Sequence, residues 1–237
     1  MTSDWAHELR DRVLPVTGDI ALTTPRLGLV AVIALLVVAV GPVWRVARLA
    51  VTLVHELGHA FVGIAVGRQF TGFVLRGDMS GHAVTKGRPR GIGRVVTTWA
   101  GYPAPAVVGA ALVWLAARGW SSVALTVTLV LLLVSLVRVR SLLTAAVMLV
   151  VLAAAGALWW WRDDALQAQA LVGLGVVLLV GAWRHLGAVF AVRGGASDPG
   201  VLAALTHVPT VVWNATFVAI SAAASWLVVS QLAAILR

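Results

Sequence analysis

Long apolar runs separated by short basic connections set the pattern of this chain. Measured against the roughly 20 apolar residues that span a bilayer, the runs fall at about 27–44, 49–66, 95–117, 121–137, 141–161, 170–190 and 208–236. They predict an all-α polytopic membrane protein of about seven transmembrane helices. The count becomes six or eight if the short breaks at 118–122 and 138–140 are read differently. Trp44, Trp99, Trp114, Trp120 and Trp159 to Trp161 fall near predicted ends, as an interfacial aromatic belt requires. The first run is too long for a signal-peptide core and lacks a small-residue cleavage site, so it reads as a retained span. One connection has a different texture. In "RQFTGFVLRGDMSGHAVTKG", Phe70, Phe73, Val74, Leu75, Ala83 and Val84 are punctuated by Gly77, Asp78 and Gly81. That pattern predicts a small β-hairpin turning near Gly77–Asp78.

Composition turns this pattern into a class. Hydrophobic residues make up 60% of the 237 and charged residues 11%, against about 25% charged in a soluble domain. The mean hydropathy is +0.96. The bilayer therefore surrounds a single domain, residues 1–237, with no separate soluble part. The net charge of +9 does not point to nucleic acid, because the basic residues lie between apolar runs and orient the protein. Alternating the connections puts Arg10, Arg12, Arg26, Arg68, Arg76, Lys86, Arg88, Arg90, Arg94, Arg138, Arg140, Arg184 and Arg193 on one side. Arg45, Arg48, Arg118, Arg162 and Arg237 fall on the other. The expectation is an N-terminus and a 67–94 connection that both face the cytoplasm. The chain has no cysteine, which excludes disulfides and thiolate metal sites.

The second run, "VTLVHELGHAFVGIAVG", carries polar groups that lipid does not call for. A carboxylate in a bilayer costs about 3 kcal/mol on insertion scales. His55 and His59 are four residues apart and share one helix face. Glu56 lies beside them, completing the His-Glu-x-x-His arrangement of zinc hydrolases. Zinc would lower the pKa of its bound water towards about 7, and Glu56 would take that water's proton. Coordination would offset the polar groups' cost in lipid. The flanking Val51 to Val54 and Ala60 to Val66 leave no solvated face for two idle histidines. A proton relay or substrate pathway in a transporter is the competing reading. Gly58 fits the first reading, since a small residue lets another element approach the metal face. Gly63 and Gly67 read as helix packing.

Through "HELGHAFVGIAVGRQF" and the glycine-rich stretch after it, the sequence resembles the site-2 proteases, intramembrane zinc metalloproteases, in their compact bacterial form. The resemblance implies that one zinc ion is held by His55 and His59, that Glu56 is the catalytic base, and that an aspartate from a later span is the third ligand. It also implies a cytoplasm-side site and a hairpin that dips towards the membrane, where an extended substrate segment could pair with its edge. "TTWAGYPAPAVVGAALVW" looks like a divergent form of the family's Ala-Gly-Pro-x-x-Asn segment. Ala100 and Gly101 match, Pro103 is displaced and no asparagine appears. No amide role at the scissile carbonyl carries over, and a proline-distorted packing helix is the plainer reading.

For the aspartate, the candidates are few. Asp4, Glu8, Asp11 and Asp19 precede the first span, Asp163 and Asp164 fall on the opposite side, and Asp78 is in the hairpin turn. Asp198 remains, in "GGASDPGVLAALTHVPTVVWNATF". Pro199 separates it from Gly200, where the family has Asp directly followed by Gly. Asp198 could instead cap a helix whose first residue is Pro199. A straight helix from 200 to 237 would be about 57 Å long, so a separate short helix is expected at 200–208 with a break near His207–Pro209. His185 and His207 are the alternative third ligands. The expected function is hydrolysis of a peptide bond in or near the span of a single-pass membrane protein, in the bacterial cytoplasmic membrane. The alternative is a non-proteolytic zinc-binding membrane protein, a metal carrier or degenerate homologue. Oligomeric state, substrate and regulator are not written in the sequence.

Overall fold

The breaks between helices fall where backbone chemistry dictates, and this moves some of them. The computed structural model describes residues 4–16, 22–191 and 197–236; Asp19, Arg193 and Arg237 lie outside the described residues. In order, the elements are α1 (Asp4–Val13), α2 (Thr24–Ala39), α3 (Gly41–Ala65), β1 (Gln69–Leu75), β2 (Gly81–Lys86), α4 (Ile92–Trp99), α5 (Pro103–Ala116), α6 (Ser121–Leu136), α7 (Leu142–Trp160), α8 (Asp164–Ala191), α9 (Asp198–Thr206) and α10 (Thr210–Ile235).

The first expected break, between 44 and 49, is misplaced. It lies at Val40, with α2 and α3 at 97° to one another. Pro42 is the cause: it suits the first turn of a helix but disfavours helical backbone in the residues before it. Arg45 and Arg48, which marked the connection in the sequence, lie inside α3. A second bend, 61°, separates α4 from α5 at Pro103. Among the described residues, three helices, α7, α8 and α10, are long and apolar enough to cross a membrane, with up to five spans if each bent pair counts as one. The 16-residue α6 is apolar but shorter. The seven expected spans are not reached by this measure; the multi-pass, mainly helical class is.

Helix α8 is the centre of the bundle. It is 56% buried over its most apolar window, against 17% for α7 and for α10. Its closest partner is α5, because Gly109 and Gly175 bring the two backbones together. A Cβ on either would stand 2.5 Å from the other's carbonyl oxygen, the close approach that small residues permit. Large apolar side chains such as Val137, Leu142, Val150, Val211 and Trp226 point outwards, as lipid-facing residues do.

The contacts define two ends. Near the end of α5, Val16 N–H donates to Gly119 O (2.9 Å), Arg162 donates to Leu14 O (3.3 Å), and Arg12 lies over Trp160 (4.6 Å). The N-terminal segment therefore sits beside the 119–120 and 161–164 turns. The hairpin sits at the other end, where Leu75 N–H donates to Thr144 Oγ1 (2.7 Å) at the start of α7. Helix α3 both begins and ends near the hairpin end: Arg184, next to His185, stacks on Trp44, and Val66 packs by Gly93. The N-terminal segment and the hairpin therefore lie at opposite ends of the helices, whereas the alternation of connections, which counts α3 as a full crossing, expects them on one side.

The hairpin matches its sequence signal. β1 and β2 pair antiparallel, from Gln69 with Lys86 to Leu75 with Gly81, with one irregularity between Phe70 and Gly72. Asp78 shapes the turn by accepting from Ser80 N–H (2.9 Å) and Ser80 Oγ (2.6 Å). Those bonds hold its carboxyl below the usual carboxylate range. The outer edge of β1 is occupied: Phe73 N–H donates to Arg138 O and Arg140 N–H to Phe73 O, each at 3.1 Å. Arg140 also donates to Thr71 O (2.8 Å).

Candidate metal centre

Three elements converge beneath the hairpin. Helix α3 presents His55 and His59 on one face, one turn apart. Glu56 lies between them in sequence and is only 4% exposed. The third contribution comes from α9. Its N-cap is Ser197, its first residue is Asp198 and Pro199 follows, so the cap position, the competing reading of Asp198, belongs to Ser197. The Asp198 carboxylate turns to the histidines instead.

The geometry is that of a metal-ligand triangle. Asp198 Oδ2 lies 3.3 Å from His55 Nε2 and 3.1 Å from His59 Nε2, and the two nitrogens are 3.1 Å apart. A tetrahedral zinc with bonds of 2.0–2.1 Å separates its ligand atoms by about 3.3 Å. The ring of His59 is oriented by Nδ1, which donates to Thr97 O (2.7 Å) and leaves Nε2 as a lone-pair donor towards the triangle. Asp198 Oδ2 is buried and has no hydrogen-bond donor. A shared cation satisfies all three atoms, so the residues fit a metal ion. His185 and His207 do not join them. His185 stands with its ring 6.1 Å from that of His55, and His207 is the left-handed C-cap of α9 (φ 60°).

Glycines make the room. A Cβ on Gly101 would overlap His59 Nε2 and stand 2.7 Å from His55 Nε2. A Cβ on Gly81 would lie 2.5 Å from Glu56 Oε1, and one on Gly58 would meet Ala104 Cβ at 2.5 Å. The approach expected at Gly58 is therefore made by the start of α5. "AGYPAP" is more than packing: it brings Gly101 and Tyr102 to the triangle. The Tyr102 ring stands edge-on to His55 at 5.0 Å and stacks on Phe217 at 5.1 Å. Sequence reasoning passed over Tyr102, although it is the chain's sole tyrosine and lies in the divergent motif.

A cavity of about 290 Å³ opens onto the triangle between β2, α4 and α9, with His82, Ala83 and Thr85 on one wall. His82 is exposed and outside the triangle, as expected of a hairpin histidine. Helix α4 contributes Arg94, Thr97 and Thr98 to the same cavity.

Neither the curated proteins nor the solved structures include a match to this chain. A family model described as Peptidase M50B-like matches residues 28–228, a stretch that holds the hairpin, both histidines, Glu56, Tyr102 and Asp198. With most of its length matched, the chain belongs to the Peptidase M50B-like family, a site-2 protease family of membrane metallopeptidases.

Proposed function

We propose that the protein is an intramembrane zinc metalloprotease that hydrolyses a peptide bond in or near a transmembrane segment of a membrane-protein substrate. The observation that carries this reading is the His55–His59–Asp198 triangle with a buried glutamate beside it. His55 Nε2, His59 Nε2 and Asp198 Oδ2 would hold one zinc ion. The chemistry a bound zinc supplies there is a water acidified towards a pKa of about 7 and a polarised carbonyl. Glu56 takes the proton of the attacking water on its carboxylate and delivers it to the leaving nitrogen. Strand β2 lines the cavity through Gly81, His82, Ala83 and Thr85, so an unwound substrate segment can add along it as a strand while its peptide bond reaches Glu56. A purely structural or transported zinc has no use for Glu56, which argues against the carrier reading. The test is purified protein with a transmembrane peptide: about one zinc per chain, cleavage lost on chelation and restored by zinc. A chain that holds zinc and leaves every such peptide intact would sink the proposal.

The site end is proposed to face the cytoplasm of a bacterial cell. Arg68, Arg76, Lys86, Arg88, Arg90, Arg94, Arg138 and Arg140 gather there, against Arg10, Arg12, Arg118 and Arg162 at the far end, and the positive-inside rule favours that side. The N-terminus then lies outside. Because the chain lacks cysteine, single cysteines report cleanly. Thr85→Cys should react with impermeant reagents only from the cytoplasm, and Trp5→Cys and Trp120→Cys only from outside. Labelling of Thr85→Cys and Trp5→Cys from the same side would contradict both the orientation and the end-to-end arrangement of the helices.

A further inference from the structure

We propose that Tyr102 is a catalytic residue whose hydroxyl hydrogen-bonds the scissile carbonyl oxygen as negative charge develops on it; this rests on the protease reading above. The triangle is flanked by a second cavity of about 190 Å³, bounded by Arg48, Thr52, Met79, Ser80 and His185. Among the described residues, only His55, Glu56, Gly81 and Tyr102 line both cavities. They therefore frame the place where a peptide bond can meet the base and the metal ligands together.

The chemistry of those four residues leaves one side-chain donor that is not sealed, since His55 Nδ1 is buried. His55 offers its Nε2 lone pair to the metal, Glu56 accepts a proton, and Gly81 has no side chain. The Tyr102 hydroxyl remains. Among the described residues it makes no hydrogen bond, and it is not one of the sealed, unpartnered polar atoms, so it keeps accessible surface on a residue that lines both cavities. Other donors are displaced or engaged. Arg94 and Thr98 line only the first cavity, Arg48 and His185 only the second, and Thr97 Oγ1 donates to Gly93 O (2.7 Å).

The ring is also held still. It lies between His55 and Phe217, a residue with no exposed surface, and Pro103 follows it directly as the first residue of α5. A donor fixed before reaction needs no reorganisation when charge appears, which is where such groups act most strongly. In the step itself, the water oxygen bonds to the carbonyl carbon and the C=O π pair moves onto oxygen. The water's proton goes to Glu56. As the C–N bond breaks, the nitrogen takes that proton and the C=O bond re-forms, leaving a carboxyl and an amine. Tyr102 keeps its proton throughout and donates a hydrogen bond to the oxyanion.

Tyr102→Phe retains the ring between His55 and Phe217 and removes only the hydroxyl. The expected result is kcat lower by about 10²–10³-fold, the effect of losing one oxyanion donor, with KM and zinc stoichiometry within twofold of wild type. A phosphinic peptide, which mimics the tetrahedral oxyanion, should bind the variant more weakly by a similar factor. The uncleaved substrate peptide should bind Glu56→Gln and the Glu56→Gln/Tyr102→Phe double variant equally. Wild-type kcat in Tyr102→Phe, equal weakening of both ligands, or loss of zinc would each overturn the assignment. If wild type cleaves, Glu56→Gln does not and Tyr102→Phe does, this inference alone fails. A zinc-loaded wild type that cannot cleave removes the protease reading with it.

Discussion

Glu56→Gln should keep about one zinc per chain and lose peptide cleavage by at least ~100-fold. Glutamine has nearly the same shape as glutamate, and Gly81 leaves space at the Glu56 side chain, so the fold has no reason to respond. Glu56 also stands outside the three-residue ligand group of His55, His59 and Asp198, so zinc retention does not depend on its charge. What the amide cannot do is accept a proton from water. Zinc analysis and cleavage of a transmembrane peptide, on the same preparation, separate the two quantities. A Gln variant with wild-type turnover would remove Glu56 as the base. One that loses zinc with activity would make it a ligand.

Asp198→Asn should behave in the opposite way, losing zinc and activity together. Asparagine caps helices about as well as aspartate, and the cap position belongs to Ser197 in any case, so α9 should stay folded. The change removes the one anionic ligand of the triangle and replaces it with a neutral amide oxygen, a poor partner for zinc. Zinc occupancy should fall sharply, with cleavage following it. Asp198→Glu keeps the charge but moves the carboxylate by about one methylene, and weak residual cleavage is expected. Full zinc in the Asn variant would exclude Asp198 as a ligand.

What the sequence discloses depends on how local each signal is. His55, Glu56 and His59 share a single helical turn, so their common face follows from spacing alone. The hairpin is equally local, with its turn written in Gly77, Asp78 and Ser80. Asp198 follows by exhausting the carboxylates once the family resemblance asks for an aspartate, a route open only because a lipid-embedded chain has so few. Its competing role as a cap was undecidable from sequence, since a shift of one residue, to Ser197, separates the two. Tyr102 escapes notice, and Gly101 registers only as part of a family segment, because the place of both at the triangle comes from the start of α5 meeting α3. Nothing nearby in the chain announces that approach. The α2–α3 break was misread because Arg45 and Arg48 looked like a loop, while the stronger backbone signal, Gly41–Pro42, lay a few residues earlier. Reading α3 as a separate crossing carries through the alternation, which is why the sequence pairs the N-terminus with the hairpin connection.

The two edges of the hairpin are treated differently, and this bears on how copies of the protein coexist in a crowded membrane. A two-stranded ribbon with both edges free is a template for endless strand addition between molecules. Here the β1 edge is closed by the 138–140 backbone and the Arg140 side chain, while the β2 edge lies in the wall of the site cavity. A neighbouring hairpin thus finds residues 71–73 of β1 already engaged, and strand addition between copies is left to the β2 side, the same side that lines the site cavity.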